Sequence, residues 1–259
     1  MRVGSLFAGI GGFDLGLERA GFDIAWQVEI DPYCQRVLAK HWPTVQRYGD
    51  IRVIDWSAVE PVDLLCGGFP CQDISLAGKG AGLSGERSGL WFEYAKAIDA
   101  LKPRYVLIEN VAALRSRGLD QVLGSLAALG YDAEWHCIPA CAVGAPHRRD
   151  RVWVVAYAAQ QLFDGGGNAG QAGGIESTDS SEDVAYAQRV RELQPEGGQP
   201  YQWGWPSHCS WWSVEPELGR VAHGIPHRVD RLKGLGNAIV PQIAEMIGRW
   251  IQFREEITR

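Results

Sequence analysis

Cys71 stands in the run GGFPCQDIS, residues 67–75, directly after the apolar stretch Val62 to Cys66. A short apolar run bounded by glycines reads as a buried strand, and in a parallel sheet ligands gather where loops leave strand C-terminal ends. Pro70 restricts the backbone on both sides, so the loop would present a thiol stiffly at that edge. A thiolate so placed is a nucleophile, although a Pro-Cys pair in a loop is more often without chemical role. A second cluster starts at Gly9, Gly11 and Gly12, with Glu29 about 20 positions on, at the end of the next apolar run. Such a turn lets a ligand approach bare backbone, and an acid at that distance can take two ribose hydroxyls. The third glycine of the dinucleotide pattern is replaced by Phe13 to Leu15, which favours a nucleoside cofactor without pyrophosphate, S-adenosylmethionine, over a nicotinamide. The plain alternative is that the glycines only serve a tight turn. Finally, Glu109-Asn110-Val111 follows the run Tyr105 to Ile108, and Arg149 and Arg151 precede the run Val152 to Ala156. A carboxyl at a strand end can hold or hand on a proton, and a guanidinium fork donates to oxygens. An ordinary surface acid and a basic turn are the alternatives.

These residues need a frame to bring them together, and the pattern supplies one. Residues 2–7 read as a strand, and a helix follows in which Phe13, Leu17 and Ala20 share a face. Asp23 to Val28 reads as the next strand and Pro32 to His41 as the next helix. In the stretch Leu90 to Leu101, Leu90, Trp91, Tyr94, Ala97, Ile98 and Leu101 recur at helical spacing. Strands alternating with helices predict an α/β, doubly wound, mostly parallel sheet. The alternation stops after Tyr157: residues 164–183 are Gly, Ser, Asn and acids with little apolar content, which predicts a loop. Trp203, Trp205, Trp211 and Trp212 then crowd a short stretch, where an aromatic mini-core is the first reading and stacking on a ligand the second. From about Arg231 the chain reads as globular again, with Pro241 opening a helix whose apolar stripe is Ile243, Ile247, Trp250 and Ile251. The expected division is therefore 1–157 with 231–259 as one domain, and 158–230 as a smaller region.

The chain has 259 residues, 46% of them hydrophobic, enough for one fair-sized core. A net charge of −6 argues against a surface coated for phosphate binding, yet two local clusters are basic: residues 147–151, and Arg220 to Lys233. Such runs are more often solvated faces. No secretory signal is expected, because glycines interrupt the N-terminal apolar run, and no stretch approaches the roughly 18 apolar residues of a membrane span. Cysteines 34, 66, 71, 137, 141 and 209 form no disulfide framework, which predicts a reduced, cytoplasmic protein. His136, Cys137 and Cys141 have poor metal spacing, so no metal is expected, and the two cysteines are read as small buried hydrophobes.

Taken in order, SLFAGIGGFDLGLERAGF, GGFPCQDIS, GERSGLWFEY, IENV, HRRDRVWVVA and GLGNAIVPQIAEMIG resemble six motifs of the cytosine-5 DNA methyltransferase family, of bacterial or phage type, over nearly the whole chain. The resemblance implies a Rossmann-like methyltransferase domain with a small irregular target-recognition region at about 158–230. It implies transfer of a methyl group from S-adenosylmethionine to carbon 5 of a cytosine flipped out of duplex DNA. Cys71, presented by Pro70, would attack carbon 6; Glu109 would act at ring nitrogen 3; Arg151 and Arg149 would hold the base oxygen and flanking phosphate. The methyl donor would lie on Phe7, Ala8, Gly9, Ile10, Gly11 and Gly12. Glu29 with Ile30 would take its ribose, Asp50 and Ile51 its adenine, and Asn237 with Ala238 would close the pocket. Residues 72–88, with four glycines, would close over DNA. The implied partners are duplex DNA and a cognate restriction endonuclease acting on the same site, with the chain a monomer. His147 departs from the family's usual glutamine and puts the bonding of that turn in doubt. Three alternatives stay open: cytosine-5 methylation of RNA, a catalytically inactive DNA-binding module, and a nucleotide-dependent oxidoreductase. The Pro70-Cys71-Gln72 triplet leans to DNA, the complete Cys71, Glu109 and Arg151 set argues against the second, and the missing third glycine against the third.

Overall fold

Apolar runs separated by glycine turns and amphipathic stretches become alternating strands and helices. The computed structural model describes residues 1–70, 89–145, 147–158 and 234–257. They comprise β1 (Arg2–Leu6), α1 (Gly12–Arg19), β2 (Asp23–Val28), α2 (Pro32–His41), β3 (Gln46–Tyr48), β4 (Leu64–Gly67), α3 (Leu90–Leu101) and β5 (Tyr105–Val111). After these come α4 (Leu114–Arg117), α5 (Leu119–Ala128), β6 (Tyr131–Ile138), β7 (Arg151–Ala158) and α6 (Pro241–Ile257). The α2 start shows why the boundaries hold: Asp31 caps the backbone N–H groups of Tyr33 and Cys34, and Pro32 fits the first helical position.

The seven strands form one sheet in the order β3-β2-β1-β4-β5-β7-β6. β1 to β5 run parallel, and β7 alone is reversed, pairing antiparallel with both β5 and β6. The order turns back between β1 and β4, the switch point at which loops diverge to opposite faces and open a crevice. Successive strand residues face opposite sides. Leu65, Val106 and Ile108 therefore pack with Trp91, Tyr94 and Ile98 of α3 and Val122 and Leu126 of α5. Leu64, Cys66, Tyr105 and Leu107 pack instead with Phe13 and Leu17 of α1 and Ile243, Ile247 and Ile251 of α6. The result is a three-layer sandwich.

Two helices press together unusually closely. A side chain at Gly16 of α1 would strike the carbonyl of Pro241 and the Cβ of Ala244, 2.7 Å away, so only glycine permits this approach to α6. The far end of α6 is tied down by Glu255, which accepts from Arg104 at 2.6 Å and from the Tyr105 hydroxyl at 2.8 Å.

Several expectations need correction. β5 does not stop at Ile108: Glu109, Asn110 and Val111 continue it, because β7 pairs with all three. Arg151 is the first residue of β7 rather than part of the turn before it. Trp250 is 40% exposed; at about 100° per residue it rotates off the Ile243, Ile247 and Ile251 line towards solvent. The boundary expected at 157 meets β7 running to Ala158. Cys71, the loop 72–88, the tryptophan cluster and almost all of 158–230 lie outside the described residues.

Candidate functional site

The switch point gathers three chain segments. From β1 comes the turn Phe7 to Gly12, in which Phe7, Gly9 and Gly11 have φ of 51°, 57° and 88°. Left-handed backbone is natural for the two glycines and is paid for at Phe7 by packing of its ring against Tyr94, 6.3 Å between centroids. From β2 comes Glu29, whose Oε2 accepts from the Gly9 N–H and whose Oε1 accepts from the Asp31 N–H, both at 2.7 Å. Each carboxylate oxygen has a second lone pair, so this pair can still receive the two hydroxyls of a ribose. Ile30 beside it is 62% exposed, an apolar surface next to a polar clamp. A nucleoside cofactor fits this donor set; a pyrophosphate would find no third glycine.

Asp50 and Ile51 are less open than expected. Asp50 caps the short helical turn Ile51–Val53 and binds the Arg52 guanidinium through both oxygens, which holds its carboxyl below the usual range. Ile51 is buried in the core, leaving its backbone rather than its side chain for contact with a ligand.

The segment from β4 runs Gly68, Phe69, Pro70. Gly68 lies opposite Glu109, and a Cβ there would stand 3.0 Å from Glu109 Oε2, so a side chain at this position would press on the buried carboxylate. Asn110 Nδ2 donates to the Phe69 carbonyl at 3.2 Å, pinning the chain two residues before Cys71. Asn110 is a residue that sequence reasoning missed; its signal was a second polar side chain, next to Glu109, at the end of a buried apolar run.

Glu109 and Arg151 lie diagonally on one face of the antiparallel β5 and β7 pair, Glu109 opposite Trp153 and Val111 opposite Arg151. Their side chains meet at 2.9 Å, Arg151 Nε to Glu109 Oε1. Glu109 is 8% exposed. Burial pushes its carboxyl from 4.5 up to about 7, against the pull of Arg151 and Arg149. A carboxyl poised near neutrality can keep a proton or give it up, which is what a proton-holding group in a reaction needs. Arg149 is placed differently: its backbone has φ 38°, and its guanidinium donates to the Ala238 carbonyl at 2.8 Å.

Asn237 is exposed at the end of a helical turn, 234–237, and Ala238 and Ile239 follow it. A Cβ at Gly12 would meet the Ile239 carbonyl at 2.7 Å, and the Ile239 side chain lies 3.5 Å from a Cβ at Gly68. The C-terminal segment thus touches both the glycine turn and the approach to Cys71. Beneath that turn, Asp14 is fully buried and accepts from Ser5 Oγ at 3.1 Å and Gln27 Nε2 at 2.7 Å.

Cys137 and Cys141 are exposed, not buried as expected: Cys137 because β6 is an edge strand whose outer positions face water, and Cys141 because it sits on the short helical turn Ala140–Val143 that follows. Among the described residues no group of His, Cys, Asp and Glu could hold a metal, and no helix is long and apolar enough to cross a membrane.

Residues 1–200 match the family model of the C-5 cytosine-specific DNA methylases. The type II methyltransferase M2.BsuMI of Bacillus subtilis (strain 168) is 38% identical over 164 residues, 60% of this chain and 42% of its own length. The type II methyltransferase M.HhaI of Haemophilus parahaemolyticus is 32% identical over 161 residues, 61% of this chain and 49% of its own length. The chain therefore spans about half the length of the curated relatives it matches. Among solved structures, the Dnmt2 methyltransferase of S. pombe is similar with a TM-score of 0.51 at 20% identity, covering 77% of this chain and 57% of that one. A mutant of Spodoptera frugiperda DNMT2 gives 0.52 at 19%, covering 63% of this chain and 51% of that one. At such identities these two likenesses speak for the fold alone. The family match runs from β1 through β7 and beyond, across every strand that builds the crevice, and the chain belongs to the C-5 cytosine-specific DNA methylase family.

Proposed function

We propose that this chain transfers a methyl group from S-adenosylmethionine to carbon 5 of a cytosine in duplex DNA, through a covalent bond to Cys71. The observation that carries the reading is the buried Glu109 and Arg151 pair, 2.9 Å apart, beside the Gly68 to Pro70 segment that leads directly to Cys71. Carbon 5 of cytosine is a poor nucleophile, and addition of a thiolate at carbon 6 makes it an enamine-like centre. Cys71 would supply that thiolate, with Pro70 stiffening the loop; after methyl transfer, loss of the carbon 5 proton to a base would expel the Cys71 thiolate and restore the ring. Glu109, with a carboxyl near neutrality, would place a proton at ring nitrogen 3 as charge develops there, and Arg151 would orient Glu109 and donate to the base oxygen. Thymine already carries a proton at nitrogen 3, so the same carboxyl distinguishes the two bases.

S-adenosylmethionine supplies the methyl group. The turn Phe7 to Gly12, Glu29, Ile30, the Asp50 and Ile51 backbone and the Asn237 to Ala238 segment would hold it. The target nucleotide must leave the stack, at a cost of a few kcal/mol. Residues from about 158 to 230 would form the target-recognition region, separate from 1–157 and 231–259. A restriction endonuclease acting on the same site is the implied partner, and the chain is proposed to act as a cytoplasmic monomer.

Duplex DNA carrying 5-fluorocytosine, incubated with labelled S-adenosylmethionine, tests this. Fluorine cannot leave as a proton, so a covalent protein–DNA complex should accumulate with the wild type and not with Cys71→Ser. Absence of any adduct across a library of duplexes would refute the proposal, and methyl transfer to transfer RNA alone would replace DNA by RNA as substrate.

A further inference from the structure

Arg149, in the turn before β7, and Arg151, the first residue of β7, point to different partners, although sequence likeness gives them one shared task. Arg151 meets the Glu109 carboxylate at 2.9 Å. Arg149 donates to a backbone carbonyl 89 positions away, that of Ala238, at 2.8 Å. A cation spent on a carbonyl of the same chain is fixing backbone, since a carbonyl carries only a partial charge and offers no chemistry. The segment it holds is also gripped from the other side. Ile239 packs so tightly on the glycine turn that a Cβ at Gly12 would come within 2.7 Å of its carbonyl, and the Ile239 side chain reaches towards Gly68. The Arg149 backbone sits in the left-handed region, φ 38°, a conformation that a non-glycine residue keeps only where its surroundings hold it.

We infer that Arg149 is a positioning residue: its guanidinium straps the Asn237 to Ile239 segment against the cofactor turn, joining the base-binding strands β5 and β7 to the cofactor pocket. The inference rests on the proposed function for what the pocket holds, but the strap itself is a property of the free protein. It gives the base site and the cofactor site one shared wall. Loosening the wall at Arg149 should weaken binding at the glycine turn without touching a residue of that turn. Arg149 also lies close enough to Arg151 and Glu109 for their charges to act on it, so the strap is anchored beside the reactive pair.

The test uses the full chain with Arg149→Gln and Arg149→Lys. Lysine keeps a cationic donor and can still reach a carbonyl; glutamine keeps bulk and polarity without the charge. Hydrogen exchange on the unliganded proteins should show the amides of Ala238, Ile239 and Val240 exchanging faster in the glutamine variant and close to wild type in the lysine variant. Calorimetry should show the dissociation constant for S-adenosylmethionine rising about tenfold or more in the glutamine variant, the size expected for losing a hydrogen bond to a charged group. KM for S-adenosylmethionine should rise by a larger factor than kcat falls. Unchanged exchange at 238–240, or a loss confined to kcat and duplex affinity with unchanged cofactor binding, would overturn the strap and return Arg149 to the base. A wild type that binds no S-adenosylmethionine, with exchange still accelerated in Arg149→Gln, would instead sink the functional reading and uphold the strap.

Discussion

Glu109→Gln should separate stability from activity, and pH is the variable that reveals it. In the folded chain the Glu109 carboxyl is pushed by burial from 4.5 up to about 7. Between those two values the folded protein holds a proton that the unfolded chain has released. The unfolded state then binds fewer protons, so stability falls as pH rises through this window and levels off above about 7. The shift of roughly 2.5 units, at 1.36 kcal/mol each, corresponds to about 3 kcal/mol. Glutamine does not titrate, so this slope should vanish in the variant. The relevant quantity is the difference in unfolding free energy between variant and wild type, measured by urea denaturation followed by tryptophan fluorescence. It should move in favour of the variant by about 2 to 3 kcal/mol between about pH 5 and pH 8. The offset at low pH depends on how the new amide meets Arg151, and only the change with pH carries the argument. Asp14 and every other acid are common to both proteins and cancel. Parallel stability curves would refute the claim that a buried carboxyl at this position holds its proton to near neutrality.

Asp14→Asn should act in the same direction through a different group. Burial raises that carboxyl from 3.8 to about 6, so stability relative to wild type should rise by about 3 kcal/mol as pH increases from below 4 to above 6, readable in the same titration. The catalytic pH profile should carry Glu109's signature: kcat/KM for duplex DNA should decline above about pH 7 as the free enzyme loses that proton, and a flat profile to pH 9 would contradict the role given to it. Asn110→Ala removes the bond that pins Phe69, and kcat should fall about five- to tenfold, the kinetic equivalent of one neutral hydrogen bond, while the dissociation constant for S-adenosylmethionine stays put. Gly16→Ala forces a methyl group into the Pro241 carbonyl and should lower stability by about 1 to 3 kcal/mol in urea denaturation.

Much of this architecture was legible in the residues because local chemistry and global position agree there. Asp23 to Val28, Pro32 to His41 and Leu90 to Leu101 emerge at the bounds their patterns predict, each flanked by a turn, a capping residue or a proline. The glycine turn with Glu29 was readable because bare backbone and a distant acid form a pattern along the chain. Other features were not written locally. β6 escaped because an edge strand exposed on most positions has no apolar period to detect. The extent of β5 depends on a partner strand some 40 residues later that reverses direction, which no window on residues 105–111 contains. The Arg149 to Ala238 bond, and the closeness of Gly68 to Glu109, are facts of three-dimensional assembly; sequence could nominate the residues without saying which would meet.

The packing of α6 on α1 sets a timetable for the newborn chain. Val3, Leu64, Tyr105, Leu107 and Trp153 line one face of the sheet, and Ile243, Ile247 and Ile251 complete its cover. During synthesis the whole sheet can pair before residue 241 exists, leaving that face without α6. At the usual pace of roughly 5 to 20 residues per second, the interval between Ala158 and Ile257 leaves an oily surface open for seconds. Contacts that span so much chain are slow to find. A ribosome-bound intermediate of this protein should therefore be a client for holding chaperones, and expression at lower temperature or with more chaperone should raise the soluble yield more than any change at the reactive crevice would.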